Sequence, residues 1–325
     1  MNKLWTMLRR DRTRVITFAV LIVLFLMAVG GMSTKDWVIT TLRGFSTGAV
    51  VFLVAAGFSI ILGLMDVLNL AQGEFMMVGA YICLSMTLDF GLNFFASFVI
   101  TMVFSVILGL AVERLVLRPL IGEPIISIIM VTLGLTYILR GLVIMLWGND
   151  IRQFNIFPEQ PIDIWGVKVT YLYLWSMGIS MVLLTFFAVF FKYSRTGVFM
   201  RAVADHQTAA QSMGISVRRV FAISWCIAAV VSSIGGILIG NIGGVGVALS
   251  HIGLKVLPAV IFGGLDSILG AIIGGLVVGV LEFLSAGYLD PIIPAINEVF
   301  PFIVLVLVLM IKPYGLFGIE EIERV

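Results

Sequence analysis

Residues Val220–Ile242 read VFAISWCIAAVVSSIGGILIGNI and contain no acidic or basic side chain. A transmembrane helix needs about 20 predominantly apolar residues, so this run is long enough to cross a bilayer. Comparable apolar runs occur at Val15–Gly31, Phe45–Leu64, Leu70–Leu88, Leu92–Val112, Pro124–Trp147, Tyr171–Phe191, Ser267–Gly287 and Val299–Ile311. The pattern predicts an all-α protein, a polytopic transmembrane helical bundle over residues 15–312.

The composition excludes a soluble protein. Hydrophobic residues make up 61% of the 325 residues and charged residues only 12%, whereas a soluble chain carries about 25% charged residues. Cys83 and Cys226 both lie within apolar runs, which favours buried, unreactive thiols over a disulfide. His206 and His251 are far apart in the sequence, so no metal site is predicted.

Basic residues are concentrated in the N-terminal tail, residues 1–14, and in the loop 192–219. Because positive charge marks the cytoplasmic side, we expect both segments to be cytoplasmic. Counting crossings then places the C-terminal tail, residues 313–325, on the same side. This topology has about 8–10 membrane segments and leaves open whether Leu249–Gly264 spans the membrane or is re-entrant. The first apolar run is interpreted as an uncleaved span rather than a signal peptide.

A polar cluster, Asn69, Gln72 and Glu74, begins the third apolar run. At helical spacing Asn69 and Gln72 share one face, while Gln72 and Glu74 point to different faces. One interpretation is a polar lining of the translocation path. The other is a helix cap with a solvated acid at the cytoplasmic rim. Asn241, beside the glycine-rich stretch Gly240–Gly246, is assigned to the same candidate path.

Two further charged residues, Arg140 and Glu282, fall in the outer halves of their predicted spans. Ionisable side chains at membrane depth generally face the bundle interior or water. Glu282 is therefore interpreted either as a rim residue or as the partner of Arg140.

Glycines recur at four-residue spacing in the late runs, as at Gly236 and Gly240 or at Gly275 and Gly279. This spacing places small residues on one helix face and lets two backbones approach closely. We therefore expect the late helices to cross at short distance, near a subunit interface or a pore.

Nothing in the sequence predicts catalysis. The glycine-rich stretch Gly240–Gly246 lacks the following Gly-Lys-Ser/Thr of a phosphate-binding loop. No nucleophile–base arrangement is apparent either. We therefore expect a transport subunit that is not itself an enzyme and binds no cofactor.

The segment Lys192–Val220 is the most distinctive polar part of the chain. Its residues between Val198 and Met213 favour a helix, and Gly214 is well placed to end it. A short basic helix on the cytoplasmic face either lies on anionic lipid or docks a cytoplasmic protein. The many small and basic residues favour docking.

Three ordered motifs resemble those of bacterial branched-chain amino acid ABC transporter permeases. They are GLMDVLNLAQGEFMMVGAY at Gly63–Tyr81, the stretch from Arg195-Thr-Gly to Met213-Gly-Ile-Ser, and KPYGLFG at Lys312–Gly318. The resemblance implies a multi-pass protein of the bacterial cytoplasmic (inner) membrane. Its implied partners are membrane lipid, a second permease subunit, two cytoplasmic ATPase subunits that bind ATP and Mg, and a periplasmic or lipid-anchored solute-binding protein. No nucleic acid is implied.

The resemblance also suggests which residues dock the ATPases. Thr208 stands where the general importer coupling motif has Glu, although the neighbouring Ala-Ala and the later Gly match. Gln72 stands where many relatives have His, so proton coupling is not expected there. The residues assigned to ATPase docking are Arg195, Gly197, Arg201, Ala209, Ala210 and Gly214.

Two other functions stay open from the sequence. Urea and short-chain amide importers share the first motif, so the transported solute could be an amide, urea or a sugar rather than an amino acid. A self-sufficient secondary transporter would need charged pairs within the membrane for ion coupling, and few are apparent.

Overall fold

The computed structural model describes residues 34–312 and 315, apart from residues 121, 155, 157–159, 165–166 and 265–267. The predicted N-terminal tail, the predicted first span, Val15–Gly31, and the predicted C-terminal tail except Gly315 lie outside the described residues. Most of the motif at Lys312–Gly318 lies outside them as well. Within the described residues the chain forms eleven α-helices and one β-hairpin.

The helices follow the predicted apolar runs closely. Their bounds are α1 Thr34–Met65, α2 Gln72–Leu88, α3 Phe94–Ala111, α4 Ile125–Trp147, α5 Tyr171–Tyr193, α6 Arg195–Asp205, α7 Gln207–Ser212, α8 Val217–Gly243, α9 Leu249–Gly263, α10 Ile268–Tyr288 and α11 Ile296–Ile311. A π-helical stretch, Val112–Leu117, and a 3-10 turn, Arg118–Leu120, extend α3. The prediction of an all-α polytopic membrane protein is confirmed.

Five of these helices are long and apolar enough to cross a membrane. They are α1, α3 with its extension, α4, α5 and α8. The segment that the sequence left undecided forms α9, which has 15 residues and is therefore about 22 Å long. A hydrocarbon core of about 30 Å is thicker than that. The N-terminal turn of α9 lies inside the bundle, because the Ser250 carbonyl lies against Gly73 of α2.

Helices α1, α2 and α8 form the centre of the bundle and are mostly buried. Helices α3, α4 and α5 lie at its periphery and expose large apolar side chains at membrane depth. Examples are Val103, Ile107, Met130, Ile138, Met145, Val182 and Phe186. Exposed apolar surface of this extent is suited to lipid, which agrees with the composition.

Glycine lets the late helices cross so closely that their backbones are in contact, as predicted. A Cβ at Gly236 of α8 would lie 2.1 Å from the Met76 carbonyl oxygen of α2. A Cβ at Gly279 of α10 would lie 2.3 Å from the Cα of Gly48 in α1. No side chain fits at such distances, so the four-residue glycine spacing does place small residues against neighbouring helices.

The β-hairpin, β1 Pro161–Ile164 and β2 Val167–Thr170, lies between α4 and α5. We call this end of the bundle the hairpin end. Here Arg152 forms a backbone bridge with Val245 and a bidentate ion pair with Asp89, at 2.5 Å and 3.0 Å. The hydrogen bonds from Arg152 lower the pKa of Asp89 below its ordinary value.

Gly236→Ala should destabilise the protein by about 1–3 kcal/mol, because the added methyl group overpacks the contact with Met76. Gly178→Ala is the matched control, since a Cβ added at Gly178 in α5 would meet no other atom within 4 Å. Alanine also favours a helix over glycine, so the control should keep or raise stability. Thermal unfolding of the purified variants in detergent tests this. Equal effects at both sites would contradict it.

Asp89→Asn should lower the unfolding free energy at neutral pH by about 1 kcal/mol or less, the usual contribution of an exposed ion pair. The pKa of Asp89 is lower in the folded protein than in the unfolded chain, so its contribution is complete above about pH 4 and is lost as the pH falls further. The difference between wild type and variant should therefore shrink below about pH 4.

The matched comparison is Arg152→Gln, which removes the other partner. It should reproduce the loss at neutral pH, and the double variant should lose little more, as measured by a double-mutant cycle. Fully additive effects would show that the two side chains act independently.

Candidate translocation and docking sites

The chain does not pass directly from α1 into α2 but makes an irregular turn, residues 66–71, which we call the polar turn. Asp66 adopts a left-handed conformation, with φ of 54°. The Ala71 N–H donates to Asn69 Oδ1 at 3.1 Å, so the asparagine side chain stabilises the turn. Asn69 is buried. The polar turn therefore enters the protein interior after Asp66, which is exposed, and residues 67–71 are buried or half-buried.

Gln72 connects this turn to two other helices. Its Oε1 accepts a 2.8 Å hydrogen bond from Asn69 Nδ2, so the two side chains meet although Asn69 lies in the turn before the helix. Its Nε2 donates to Ser232 Oγ at 2.6 Å and, more weakly, to the Val54 carbonyl oxygen at 3.5 Å. Ser232 lies in the middle of α8, so these amides form a polar bridge at mid-bundle depth.

Glu74 lies on a different face of α2 from Gln72, as predicted, and is only 2% exposed. The interpretation of a solvated acid at the membrane rim is therefore wrong. The Nη2 of Arg140 in α4 donates to Glu74 Oε1 at 2.8 Å and to Ser250 Oγ of α9 at 2.8 Å. The rim interpretation failed because the polar turn carries the start of α2 into the bundle before the helix begins.

The interpretation of Glu282 as the partner of Arg140 is also wrong. Glu282 Oε1 accepts instead from Lys255 Nζ of α9, at 2.5 Å. Helix α9 packs on α10 through Gly263 and Gly270, and this contact brings Lys255 to Glu282. The sequence pattern did not assign Ser250 or Lys255, because it left the state of their segment open.

Asn241 lies near the end of α8, nine residues beyond Ser232 and so roughly 14 Å along the helix. Its Oδ1 accepts a 2.8 Å hydrogen bond from the Ile156 N–H, so it anchors the loop before β1. Its Nδ2 is buried without a partner among the described residues. The structure thus brings Asn69, Gln72 and Glu74 together and places Asn241 nearer the hairpin end.

The predicted docking helix is present but interrupted. Helix α6 begins after Ser194, whose Oγ accepts from the Gly197 N–H at 2.9 Å. His206 has an extended backbone and separates α6 from α7. Gly214, with φ of 83°, ends the segment as predicted. We call residues 195–214 the docking segment.

One side of the docking segment is packed on the bundle. Its buried apolar residues Met200, Val203 and Ala210 join a cluster with the ends of α1 and α5 and the start of α8. Gly197 allows the closest approach, because a Cβ there would lie 2.4 Å from the Phe191 carbonyl oxygen. The apolar face that could have rested on lipid is therefore occupied by protein.

The predicted docking residues divide into two groups. Gly197 and Ala210 are buried against the bundle. The exposed residues are Arg195, Arg201, Ala209 and Gly214. The Arg201 guanidinium donates to the carbonyl oxygens of Phe191 and Lys192 at the end of α5. Arg201 thus holds the segment in place as well as presenting a charge.

The docking segment also contacts the end of α1. Gln207 Nε2 donates to the Leu64 carbonyl oxygen at 3.1 Å. Trp225 Nε1 of α8 points at the Met65 sulfur at 3.3 Å. Since the polar turn begins at the next residue, the segment and the buried amides of Asn69 and Gln72 are joined through a few residues of backbone.

The sequence profile of the family described as the branched-chain amino acid transport system permease component matches residues 40–309. The chain belongs to this family.

No group of three or more His, Cys, Asp or Glu side chains suited to a metal ion occurs in the described part of the permease.

Curated relatives match the permease over most of its length. The high-affinity branched-chain amino acid transport system permease protein LivH of Escherichia coli is 29% identical over 300 residues, which covers 87% of this chain and 96% of the relative. BraD of Pseudomonas aeruginosa is 27% identical over 301 residues, with the same coverage. A probable LivH protein of Methanocaldococcus jannaschii is 27% identical over 292 residues.

Among solved structures, PsaBC from Streptococcus pneumoniae in complex with Fab is similar to the permease with a TM-score of 0.47 and 14% sequence identity. The match covers 81% of this chain and 88% of the PsaBC chain.

Ser232→Ala should destabilise the permease by about 1–3 kcal/mol, because it leaves the buried Gln72 amide without its best acceptor. Ser176→Ala is the matched control. Ser176 is equally buried, but its hydroxyl has no partner within the described residues, so its removal should be neutral or stabilising. Unfolding of both variants in detergent measures the difference, and a neutral Ser232→Ala would rule out the polar bridge.

Proposed function

We propose that the permease is the transmembrane subunit of an ABC importer and forms part of the pathway for branched-chain or related amino acids. Family membership carries the proposal, and the named relatives transport this class of solute. The docking segment supports it, because the segment is anchored to the bundle and exposes its other side.

The proposed partners are a second permease subunit, two cytoplasmic ATPase subunits and a solute-binding protein that is periplasmic or lipid-anchored. The ATPases would bind ATP and Mg, and this chain would contribute no catalytic group. The complex would lie in the bacterial inner membrane, with the docking segment facing the cytoplasm.

The contacts of the docking segment suggest how force reaches the solute path. Movement of an ATPase would displace the exposed residues Arg195, Ala209 and Gly214. Gln207 would pass this displacement to the end of α1 through its 3.1 Å hydrogen bond to Leu64. The polar turn follows directly, so Asn69 and Gln72 would shift relative to Ser232 of α8.

A secondary transporter is the competing proposal. The ion pairs Glu74–Arg140 and Lys255–Glu282 supply intramembrane charges that ion coupling could use. Family membership favours the ATP-driven function, and no contact of the described residues requires ion coupling.

Purification and reconstitution distinguish these proposals. The native complex, isolated through a tag on the permease, should contain ATPase subunits, and proteoliposomes should accumulate leucine, isoleucine or valine only with ATP and the solute-binding protein. A permease isolated without ATPases and driven by an ion gradient would contradict the proposal. Uptake of urea, acetamide or ribose in place of the amino acids would support an ABC importer but contradict an amino acid as its solute.

Ala209→Glu should reduce recovery of the ATPase subunits and solute-stimulated ATP hydrolysis by roughly tenfold or more, since it places a charge in the proposed contact. Ala209 is exposed, so membrane insertion and thermal stability should not change. The measurements are subunit ratios after purification and ATPase activity in proteoliposomes. Arg201 is a poorer test site, because its contacts with α5 would be lost at the same time.

Two matched variants complete this test. Ala210→Glu places the same charge at the buried residue next to Ala209, and it should lower the thermal stability of the permease. Glu123→Lys changes an exposed residue in the loop before α4, outside the docking segment, and should leave subunit recovery unchanged. Normal ATPase recovery with Ala209→Glu would exclude this residue from the contact.

A further inference from the structure

The ion pair between Glu74 and Arg140 has unused hydrogen-bonding capacity. Glu74 Oε2 and Arg140 Nε are both buried and have no hydrogen-bond partner among the described residues. Buried polar atoms are almost always paired, so each exception calls for an explanation. The ion pair therefore retains one acceptor, Glu74 Oε2, and one donor, Arg140 Nε, for a further ligand.

Stability alone does not explain this pair. Taking two charges out of water costs several kcal/mol per ion, and a well-packed apolar pair is often as stable. Glu74 Oε1 accepts from Arg140, whereas Oε2, the other half of the carboxylate, is unsatisfied within the described residues. The arrangement is therefore costly as a structural link but suitable for a ligand that brings its own opposite charges.

Of the two residues in this pair, only Arg140 reaches the surface of the described bundle. Arg140 is 26% exposed, in contrast to Glu74, and lies on α4 about 10 Å before the end of that helix at Trp147. On α9, His251 follows the Arg140 contact Ser250 in the chain and is exposed, and Lys255 is half-buried. Ionisable groups at this depth do not face lipid, so this surface borders water or protein.

The local backbone adds to the site. Glu74 lies in the first turn of α2 and Ser250 in the first turn of α9. Gly73 and Gly253 bring these two N-terminal turns into backbone contact. Helix N-termini carry partial positive charge and favour an anion. This field stabilises the Glu74 carboxylate and would also favour a second carboxylate beside Arg140, as at discontinuous helices of other transporters.

We propose that Glu74, Arg140 and Ser250 form a recognition site for the zwitterionic backbone of an amino acid, with Arg140 taking its α-carboxylate and Glu74 its α-ammonium group. The inference rests on the proposed function. A zwitterion adds no net charge to a neutral ion pair, so the site stays neutral at low dielectric constant. An amine or a carboxylic acid alone would leave one uncompensated charge, which is costly there.

The test measures leucine binding to the purified native complex without the solute-binding protein, so that the permease itself is probed. The competitors are 3-methylbutylamine, which lacks the carboxylate, and 4-methylpentanoate, which lacks the ammonium group. Leucine should bind roughly 10–100-fold more tightly than either analogue, the usual value of one charged hydrogen bond. Equal binding of the three compounds would overturn the inference, and this comparison needs no variant.

A second test measures leucine binding to variants of the ion pair. Glu74→Gln and Arg140→Gln should each weaken leucine binding by roughly tenfold or more and reduce the discrimination against one analogue. Glu282→Gln is the matched control, because it removes the other membrane-depth ion pair, Lys255–Glu282, and should leave the leucine affinity unchanged. An unchanged affinity in both Glu74→Gln and Arg140→Gln would overturn the inference.

The proposed function is tested separately by leucine uptake in wild-type proteoliposomes. Uptake with normal discrimination in the variants would leave the importer intact and reject this site. Absence of leucine, isoleucine and valine uptake by the wild-type complex would reject the amino-acid solute of the proposed function and this inference with it.

Discussion

Close backbone contact between helices is the constraint on which the rest of the bundle depends. Lipid tails are as apolar as leucine, so no hydrophobic force drives helices together within a membrane, and packing and polar contacts must do so. Gly236 against Met76 and Gly279 against Gly48 supply the packing. Because α1, α2 and α8 approach this closely, side chains as short as Ser232 reach across the interfaces. The polar bridge from Asn69 and Gln72 exists only at that spacing.

The polar turn shows how an irregular backbone is tolerated within such a bundle. Unpaired backbone groups cannot face lipid, and non-helical segments at membrane depth must be buried in protein or line water. Asn69 satisfies the turn locally, and Gln72 ties it to α8. On the opposite face of α2, the ion pair of Glu74 connects the same helix start to α4 and α9. One break in the chain thus gathers polar contacts from five helices.

Much of this architecture could be predicted from the sequence, and the failures have a common cause. Long apolar runs and glycine spacing depend on local sequence, so the helices and their close crossings were predicted well, and Gly214 did end the docking segment. The pairing of charges depends on which helices are neighbours. Arg140 and Glu282 were identified as charges within predicted spans. Their partners, Glu74 and Lys255, follow from the packing of α4 on α2 and of α9 on α10, which no local pattern reveals. One of the two interpretations of Glu74 put it at the rim, because no local pattern shows that the polar turn enters the bundle.

Helix α4 differs from its neighbours in mechanical terms. A single stripe of residues, Ile128, Thr132, Leu135, Leu139 and Val143, is its buried face, and its polar contacts are few. They reach the polar turn, α2 and α9. Glycines hold the core helices at backbone distance, whereas α4 packs through this one stripe, so a tilt of α4 would break fewer contacts than a tilt of α1, α2 or α8. Such a tilt would strain the hydrogen bond between Arg140 and Glu74, which joins α4 to the start of α2.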